Sequence, residues 1–342
     1  AEQYNVTYYI NPELGTRLFG IGKAYDFCIE NSKTDVCMIF HADMMLGKDA
    51  DVNAFKHLGP KKVVCSTRIE PPLHPPGPEK ITLAWGNEVE DYVYEDCKNY
   101  FLELEAIHKN KTTNGIFAPW CMYKSDYLAI GGHDELFAPQ SKEDSDLFNR
   151  FVLNGYNVIQ SWDGLVYHFT SRGSRFNKHA GGGAGKNSEE WLYTTNKNAR
   201  NFIRKWGHFV KHDPLMKPII PPLYDIGFVV KNCNMQALEI LEPWCSTIYF
   251  ENYNAMAPEY IKKEQPNTLY GLIDRLRPYD NEKNNEILVS FDASKLTQSS
   301  FQIIQQLPEI IKESGEIGVF ELDIFNVEII QINEYQNSLI VN

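Results

Sequence analysis

Through its first 170 residues the chain alternates short apolar, β-branched runs with longer stretches of helical period, a rhythm that predicts a mostly parallel sheet covered by helices. Asn5–Ile10 reads as a strand, and Arg17–Asn31 as a helix with Leu18, Ile21, Tyr25 and Cys28 on one stripe. Val36–Phe40 is an uninterrupted apolar run of the kind that is buried on both faces, and Lys62–Cys65 is a further strand. Pro71-Pro-Leu-His-Pro-Pro-Gly-Pro78 can be neither helix nor central strand and reads as a stiff surface loop. Beyond it, the pattern predicts a helix over Val93–Lys109, a strand over Ile116–Tyr123 and a helix over Ser141–Leu153, capped by Ser141 with Glu143 in its first turn. Val158 and Ile159 lie in one strand and Leu165–Phe169 in a second. Ser171–Lys186 is Gly-rich and basic, a loop before a helix at Glu189–Trp206.

At 342 residues the chain has room for about two domains, and Pro214, Pro218, Pro221 and Pro222 mark the expected boundary: residues 1–212 as one domain and residues 213–342 as a smaller α+β module. In the second, Ile287–Phe291, Thr297–Ser314, Ile317–Leu322, Val327–Ile332 and Ser338–Val341 read as βαβββ, without an internal repeat or a catalytic signature. Structural work or partner docking, including homo-oligomerisation, is its expected role. Lys+Arg 33 against Asp+Glu 45 leaves a formal charge of −12, a field that repels nucleic acid and anionic lipid. A phosphate-bearing ligand would need a local basic pocket, a metal, or both. No apolar run is long enough to span a membrane and no signal-peptide pattern opens the chain, so a soluble, cytoplasmic protein is expected. The seven cysteines lack a CxxC pair and several sit in apolar runs, which predicts buried, reduced thiols. High Asn, Tyr, Lys and Ile usage is compatible with an AT-rich bacterial or viral genome.

Three segments carry residues suited to chemistry. Val36-Cys-Met-Ile-Phe-His-Ala-Asp43 is a buried strand ending in an acid, and a carboxylate at a strand's carboxyl end can hold a divalent cation that bridges a diphosphate. From this segment alone the plainer reading of Asp43 is a turn or helix-cap residue before Leu46-Gly47. Ile130-Gly-Gly-His-Asp-Glu135 precedes Lys142-Glu-Asp-Ser-Asp146. The glycine pair allows a tight turn under a ligand, and an ionised carboxylate facing a cleft can act as general base. Glu143 and Asp144 are the candidates, whereas Asp146 reads as a cap on a solvated helix. In Val166-Tyr-His-Phe-Thr170, His168 is either a hydrogen-bonded structural residue or a ligand for Mn²⁺ or Mg²⁺. Arg172, Arg175, Lys178, His179 and Lys186 follow it and supply the positive field a diphosphate needs. Gly181-Gly-Gly-Ala-Gly-Lys186 is no P-loop, because Ala180 and Asn187 stand where Gly and Ser or Thr are required; a flexible lid describes it better.

Taken in order, Phe40-His-Ala-Asp43, Ile130-Gly-Gly-His-Asp-Glu135, Glu143-Asp144 with Asn154-Gly-Tyr156, and His168 resemble the family 2 glycosyltransferases of the GT-A fold, over roughly residues 5 to 210. Asn201-Phe-Ile-Arg-Lys-Trp-Gly207 looks like the segment that closes many such domains. The resemblance implies a Rossmann-like α/β domain that moves a sugar from a nucleotide diphosphate donor to an acceptor hydroxyl with inversion. By motif, Asp43 matches the last acid of the family's D-x-D and would bind Mn²⁺ or Mg²⁺, with His41 where the first acid usually lies. Asp144 matches the catalytic base beside Glu143, and His168 completes the metal and diphosphate site with Arg172, Arg175 and Lys178 nearby. Trp120, His133, Asp134 and, more remotely, Trp85 fall on the acceptor or sugar side.

Two departures from the family pattern stand out. The strands that read the nucleotide base are absent before Asn5, which predicts about 60 missing upstream residues, the size of two βα units. His41 in place of an acid also lowers the charge offered to a metal. The competing expectation is a non-catalytic carbohydrate-binding or structural protein on a degenerate transferase fold, and a metal-dependent phosphatase or nucleotidyltransferase is a third.

Overall fold

The computed structural model describes residues 6–11, 20–170, 175–176, 178–183, 185–337 and 339–340. Two sheets flanked by helices give the α/β class, and the chain divides into two compact units. One comprises the chain up to Thr195 with the segment His212–Ile219; the other comprises Asn196–Lys211 and the chain from Ile220 on.

In the first unit the chain runs α1 (Ile21–Asn31), β1 (Val36–Ile39), β2 (Met44–Leu46), α2 (Ala50–Phe55), β3 (Lys62–Glu70), β4 (Ile81–Thr82), α3 (Tyr94–Ile107), β5 (Thr112–Asn114), β6 (Trp120–Tyr123), α4 (Lys124–Ala129), α5 (Glu143–Leu153), β7 (Asn157–His168) and the start of α6 (Glu189–Trp206). The sheet order is β1-β6-β3-β7-β2, with β4 added to β3 and β5 to β7. Its spine is the long parallel pair β3–β7, and the pairings of β1, β2, β5 and β6 are antiparallel. Both strands of the spine are buried almost throughout, and they carry polar residues into the interior, Arg68 and Glu70 on β3 and Gln160, Asp163 and His168 on β7. Ile29, Ile39, Val63, Trp120, Met122, Leu147, Phe148 and Phe151 form the core on which α1 and α5 pack.

The second unit continues with β8 (Ile226–Lys231), α7 (Met235–Leu241), β9 (Thr247–Phe250), α8 (Tyr253–Glu264), α9 (Leu272–Arg275), β10 (Leu276–Pro278), β11 (Ile287–Asp292), α10 (Gln298–Ser314), β12 (Gly318–Leu322) and β13 (Phe325–Ile329). Its order is β10-β9-β8-β11-β13-β12, parallel from β10 to β11 and closed by an antiparallel hairpin. In α10, Thr297 and Ser300 cap each other's backbone, and Ile304, Leu307 and Ile311 turn one stripe onto the core. An ionic network joins Arg204 with Glu242 and Glu264, and Arg275 with Glu242; Arg204 and Glu242 are buried and Arg275 is partly so.

Several local expectations need correction. Val6–Ile10 forms no strand: Val6, Tyr8 and Ile10 are exposed and pair with nothing in the sheet, and Asn5 lies outside the described residues. The first helix begins at Ile21, after Gly20, with Arg17 and Leu18 outside the described residues. The two strands expected at Val158–Ile159 and Leu165–Phe169 are one, because β3 pairs with both halves across an irregularity in which Ser66 faces Ser161 and Thr67 already faces Leu165. In the second unit β8, β9 and β10 went unread, since β8 and β9 are short, buried runs without alternation and β10 is three residues that end in a proline. Between Ser338 and Val341 the two described residues belong to no strand. Cys28 is exposed; the other six cysteines are buried, and all seven are free thiols.

Candidate active site

The strand β1 ends at Ile39, and the turn His41-Ala42-Asp43 then carries the chain into β2, whose Met44 stands opposite His168 in the antiparallel pair with β7. That register sets His168 Nε2 3.5 Å from Asp43 Oδ1. Ligand atoms of His41, Asp43 and His168 all lie within 4.8 Å of one another, close to the span of opposite donors on one ion, roughly 4 Å. The buried Nε2 of His41 has no hydrogen-bond partner, as a nitrogen kept for a ligand would be. On its other edge, His168 Nδ1 lies 2.8 Å from Glu70 Oε1, an arrangement that fixes the ring and leaves Nε2 for the cleft.

Charge keeps this corner ionised. Burial alone would raise the Glu70 carboxyl, but His168, Arg68 and Lys80 hold it well below the usual range. Burial would likewise lower His168, yet Asp43 and Glu70 raise it. Asp43 is held below its ordinary value, against burial, by the same imidazole. For His41 burial prevails and the ring is lowered, which favours the neutral form a metal requires.

The second corner is built on the Gly131–Gly132 turn, which has φ of 86° and 68°, a region that suits glycine. Arg150 locks this turn by donating to Ile130 O at 2.7 Å and Gly132 O at 2.5 Å, and is itself paired to Asp146 at 2.8 Å. Asp146 is therefore a fully buried structural ion partner rather than a cap on a solvated face. Nor does Ser141 cap α5: Ser141 and Lys142 both take φ near +78°, and the Ser141 hydroxyl meets Thr195 Oγ1 at 2.6 Å. Such left-handed residues cost about 1–3 kcal/mol each and cluster at functional sites. They deliver Glu143 and Asp144 at the head of α5, and Asp144 Oδ1 comes 3.9 Å from His133 Nε2. Burial, and then Asp144, push the Glu143 carboxyl well above the usual carboxylate range.

Tyr25 joins the two corners. Its ring stacks on His41 at 5.8 Å and lies 5.5 Å from His133. Its phenol is raised by burial and then by Asp144, Glu143 and Asp43, so carboxylates from both corners act on one hydroxyl. An open cavity of roughly 1100 Å³ is lined by Tyr25, His41 and Asp43 together with the apolar residues of β1.

The structure thus brings together His41, Asp43 and His168 in one group, and His133, Glu143 and Asp144 in another, with Trp120 against Tyr25 at 6.3 Å. Trp120 is fully buried, and its indole Nε1 lacks a partner. Asp134 is also buried, and its carboxylate accepts from Leu136 N at 2.9 Å in a short turn. Trp85 packs elsewhere, against Tyr100, Phe101 and Tyr167. Arg175 bonds Asn187 at 2.9 Å, sits 3.3 Å from His74 of the proline loop and stacks over Trp191, while Lys178 is exposed. Arg172 lies outside the described residues. Sequence reasoning missed Glu70, Asp26 and Tyr127 and took Tyr25 for core. Glu70 at the end of a β-branched run was the available signal.

Residues 114–176 match the family model described as chondroitin N-acetylgalactosaminyltransferase, a short stretch that runs from β5 through the glycine turn and α5 to just past His168. No curated protein matches the chain. Among the described residues no helix is long and apolar enough to cross a membrane. The match spans Glu143, Asp144 and His168 and supports a glycosyltransferase.

Proposed function

We propose that the first unit is the catalytic part of an inverting, metal-assisted glycosyltransferase, similar to the GT-A enzymes of family 2, with the second unit as an accessory module. The observation that carries this reading is the place of Tyr25, whose ring stacks on His41 of one group at 5.8 Å and lies 5.5 Å from His133 of the other; it supports a cation site and a carboxylate base close to each other. His41, Asp43 and His168 would hold Mn²⁺ or Mg²⁺, with Glu70 orienting His168. When bound, the cation supplies positive charge against the departing diphosphate. Asp144 takes the proton of the acceptor hydroxyl as that oxygen forms its bond to the anomeric carbon. The bond from that carbon to the diphosphate breaks on the opposite face, and its electron pair leaves with the diphosphate. Arg175, which sits 3.3 Å from His74 of the proline loop, would meet the leaving group's charge.

The family description makes nucleotide-linked N-acetylgalactosamine the first donor to assay. Sugar transfer to oligosaccharide acceptors is measured with and without Mn²⁺ across a panel of nucleotide sugars. Transfer that stops in Asp144→Asn supports the reading; transfer unaffected by that change rejects Asp144 as the base. Glycan uptake without nucleotide or metal, and without turnover, would point instead to a binding protein.

A further inference from the structure

We propose that His133 is a positioning residue for Asp144: clamped on three sides, its ring sets the orientation of the carboxylate that takes the acceptor proton. The inference rests on the transferase reading and assigns His133 a role other than contact with sugar.

The clamp is visible atom by atom. The main-chain N–H of His133 donates to Asp26 Oδ1 at 3.0 Å, and its ring Nδ1 lies 3.1 Å from the same oxygen, with the Tyr127 hydroxyl shared between them. Behind the ring α1 comes so close that a Cβ on Gly22 would stand 2.8 Å from His133 Cβ. From below, Arg150 holds the Gly131–Gly132 turn. Its remaining edge, Nε2, lies 3.9 Å from Asp144 Oδ1; both atoms are buried, and among the described residues neither has a hydrogen-bond partner. Two buried polar atoms with no other outlet, 3.9 Å apart, form a contact that can tighten when an acceptor closes the cleft.

The groups facing the ring are Asp26 and Tyr25 from α1, Tyr127 from α4, and Glu143 and Asp144 from α5, with Arg150 acting on Tyr127 behind it. Burial disfavours the imidazolium, but Asp144 and Asp26 on its two sides outweigh burial and keep the ring protonated up to about 9. A cation beside the base steadies the carboxylate in one rotamer, and the partner of a catalytic carboxylate need not touch substrate to matter.

The test is a pH profile of kcat/KM for sugar transfer in the whole chain. Wild type should lose activity along an alkaline limb at about 9, as His133 releases its proton. Asp26→Asn should move that limb down by about one pH unit. His133→Gln should abolish the limb and lower kcat by about tenfold or more while the donor KM stays near wild type. A limb that persists in His133→Gln overturns the proposal. Should that variant fail to fold, ring ¹⁵N resonances of wild type and Asp144→Asn decide without turnover: a lower His133 pKa in Asp144→Asn supports the contact, and an unchanged one overturns it. If wild type transfers no sugar from any donor, the transferase reading fails by itself, and the ring titration still decides whether His133 and Asp144 act on each other.

Discussion

Glu70 Oε1 and His168 Nδ1 lie 2.8 Å apart at the ends of two parallel strands, one step beyond the Ile69–Tyr167 pair. The carboxylate is in turn held by Arg68 and Lys80, each at 3.0 Å. Such a partner fixes the tautomer and aim of a metal-binding imidazole. Glu70→Gln should therefore weaken Mn²⁺ binding by about 10–100-fold. Titration calorimetry of the folded variant would check this, and unchanged affinity would dismiss Glu70 as the orienting group.

Asp144→Asn keeps the side chain's shape and removes the carboxylate proposed as the base. Transfer kcat should drop by about 10²–10⁴-fold with the donor KM nearly unchanged, as measured by initial rates at saturating Mn²⁺.

Glu143 carries a different signature, because burial and its neighbour Asp144 raise its carboxyl above the ordinary 4.5. The folded chain then keeps a proton that the unfolded chain gives up, so this residue's contribution to stability falls as pH rises above 4.5. Glu143→Gln, a stand-in for the protonated acid, should gain on the order of 1 kcal/mol over wild type between pH 5 and about 7. Urea midpoints at both pH values would reveal the gain; a constant difference would count against a buried proton on Glu143.

In the second unit, Arg204 and Arg275 hold the fully buried Glu242 down to about 2 against the cost of burial. Its folded value is depressed, so the stabilisation is complete above the ordinary 4.5 and fades as pH falls toward about 2. Removing one member leaves uncompensated charge in the interior. Glu242→Ala should cost about 3–5 kcal/mol at neutral pH and much less near pH 2, by denaturant unfolding at the two conditions.

Gly22 is small because α1 must pass His133. Gly22→Ala places a methyl 2.8 Å from His133 Cβ, and overpacking of this kind costs about 1–3 kcal/mol. Thermal melts would register the cost, and a displaced ring should also shift the alkaline limb of activity.

Much of the architecture was legible in the residues. Periodicity located α1, α3, α5 and α6 to within a few positions, because each presents an apolar stripe to a sheet. The nearness of His41, Asp43 and His168 was legible as well, since an apolar strand followed by His-Ala-Asp and another that ends in His168 are local signals. Glu70, Asp26 and Tyr127 were not, because their partners lie far along the chain: Asp26 reaches His133 across 107 positions, and Glu70 reaches His168 across 98. Tyr25 fitted the apolar stripe of its helix, and only the stacking on His41 reveals its polar neighbours. Asp146 was misread because an acid at a helix start is ordinarily solvated, whereas Arg150 four residues on buries this one.

Where β3 passes from Ser66 to Thr67, its partner strand jumps from Ser161 to Leu165, and Trp162, Asp163 and Gly164 are the surplus. Asp163 anchors them by accepting from Asn110 N at 2.6 Å and from Ser161 Oγ at 2.8 Å. That extra loop of strand works as a phase setter. Removing a single residue from it would leave the Lys62–Ser66 half of the pairing in place and turn every later side chain of β7 to the opposite face, and His168 would then look away from the cleft.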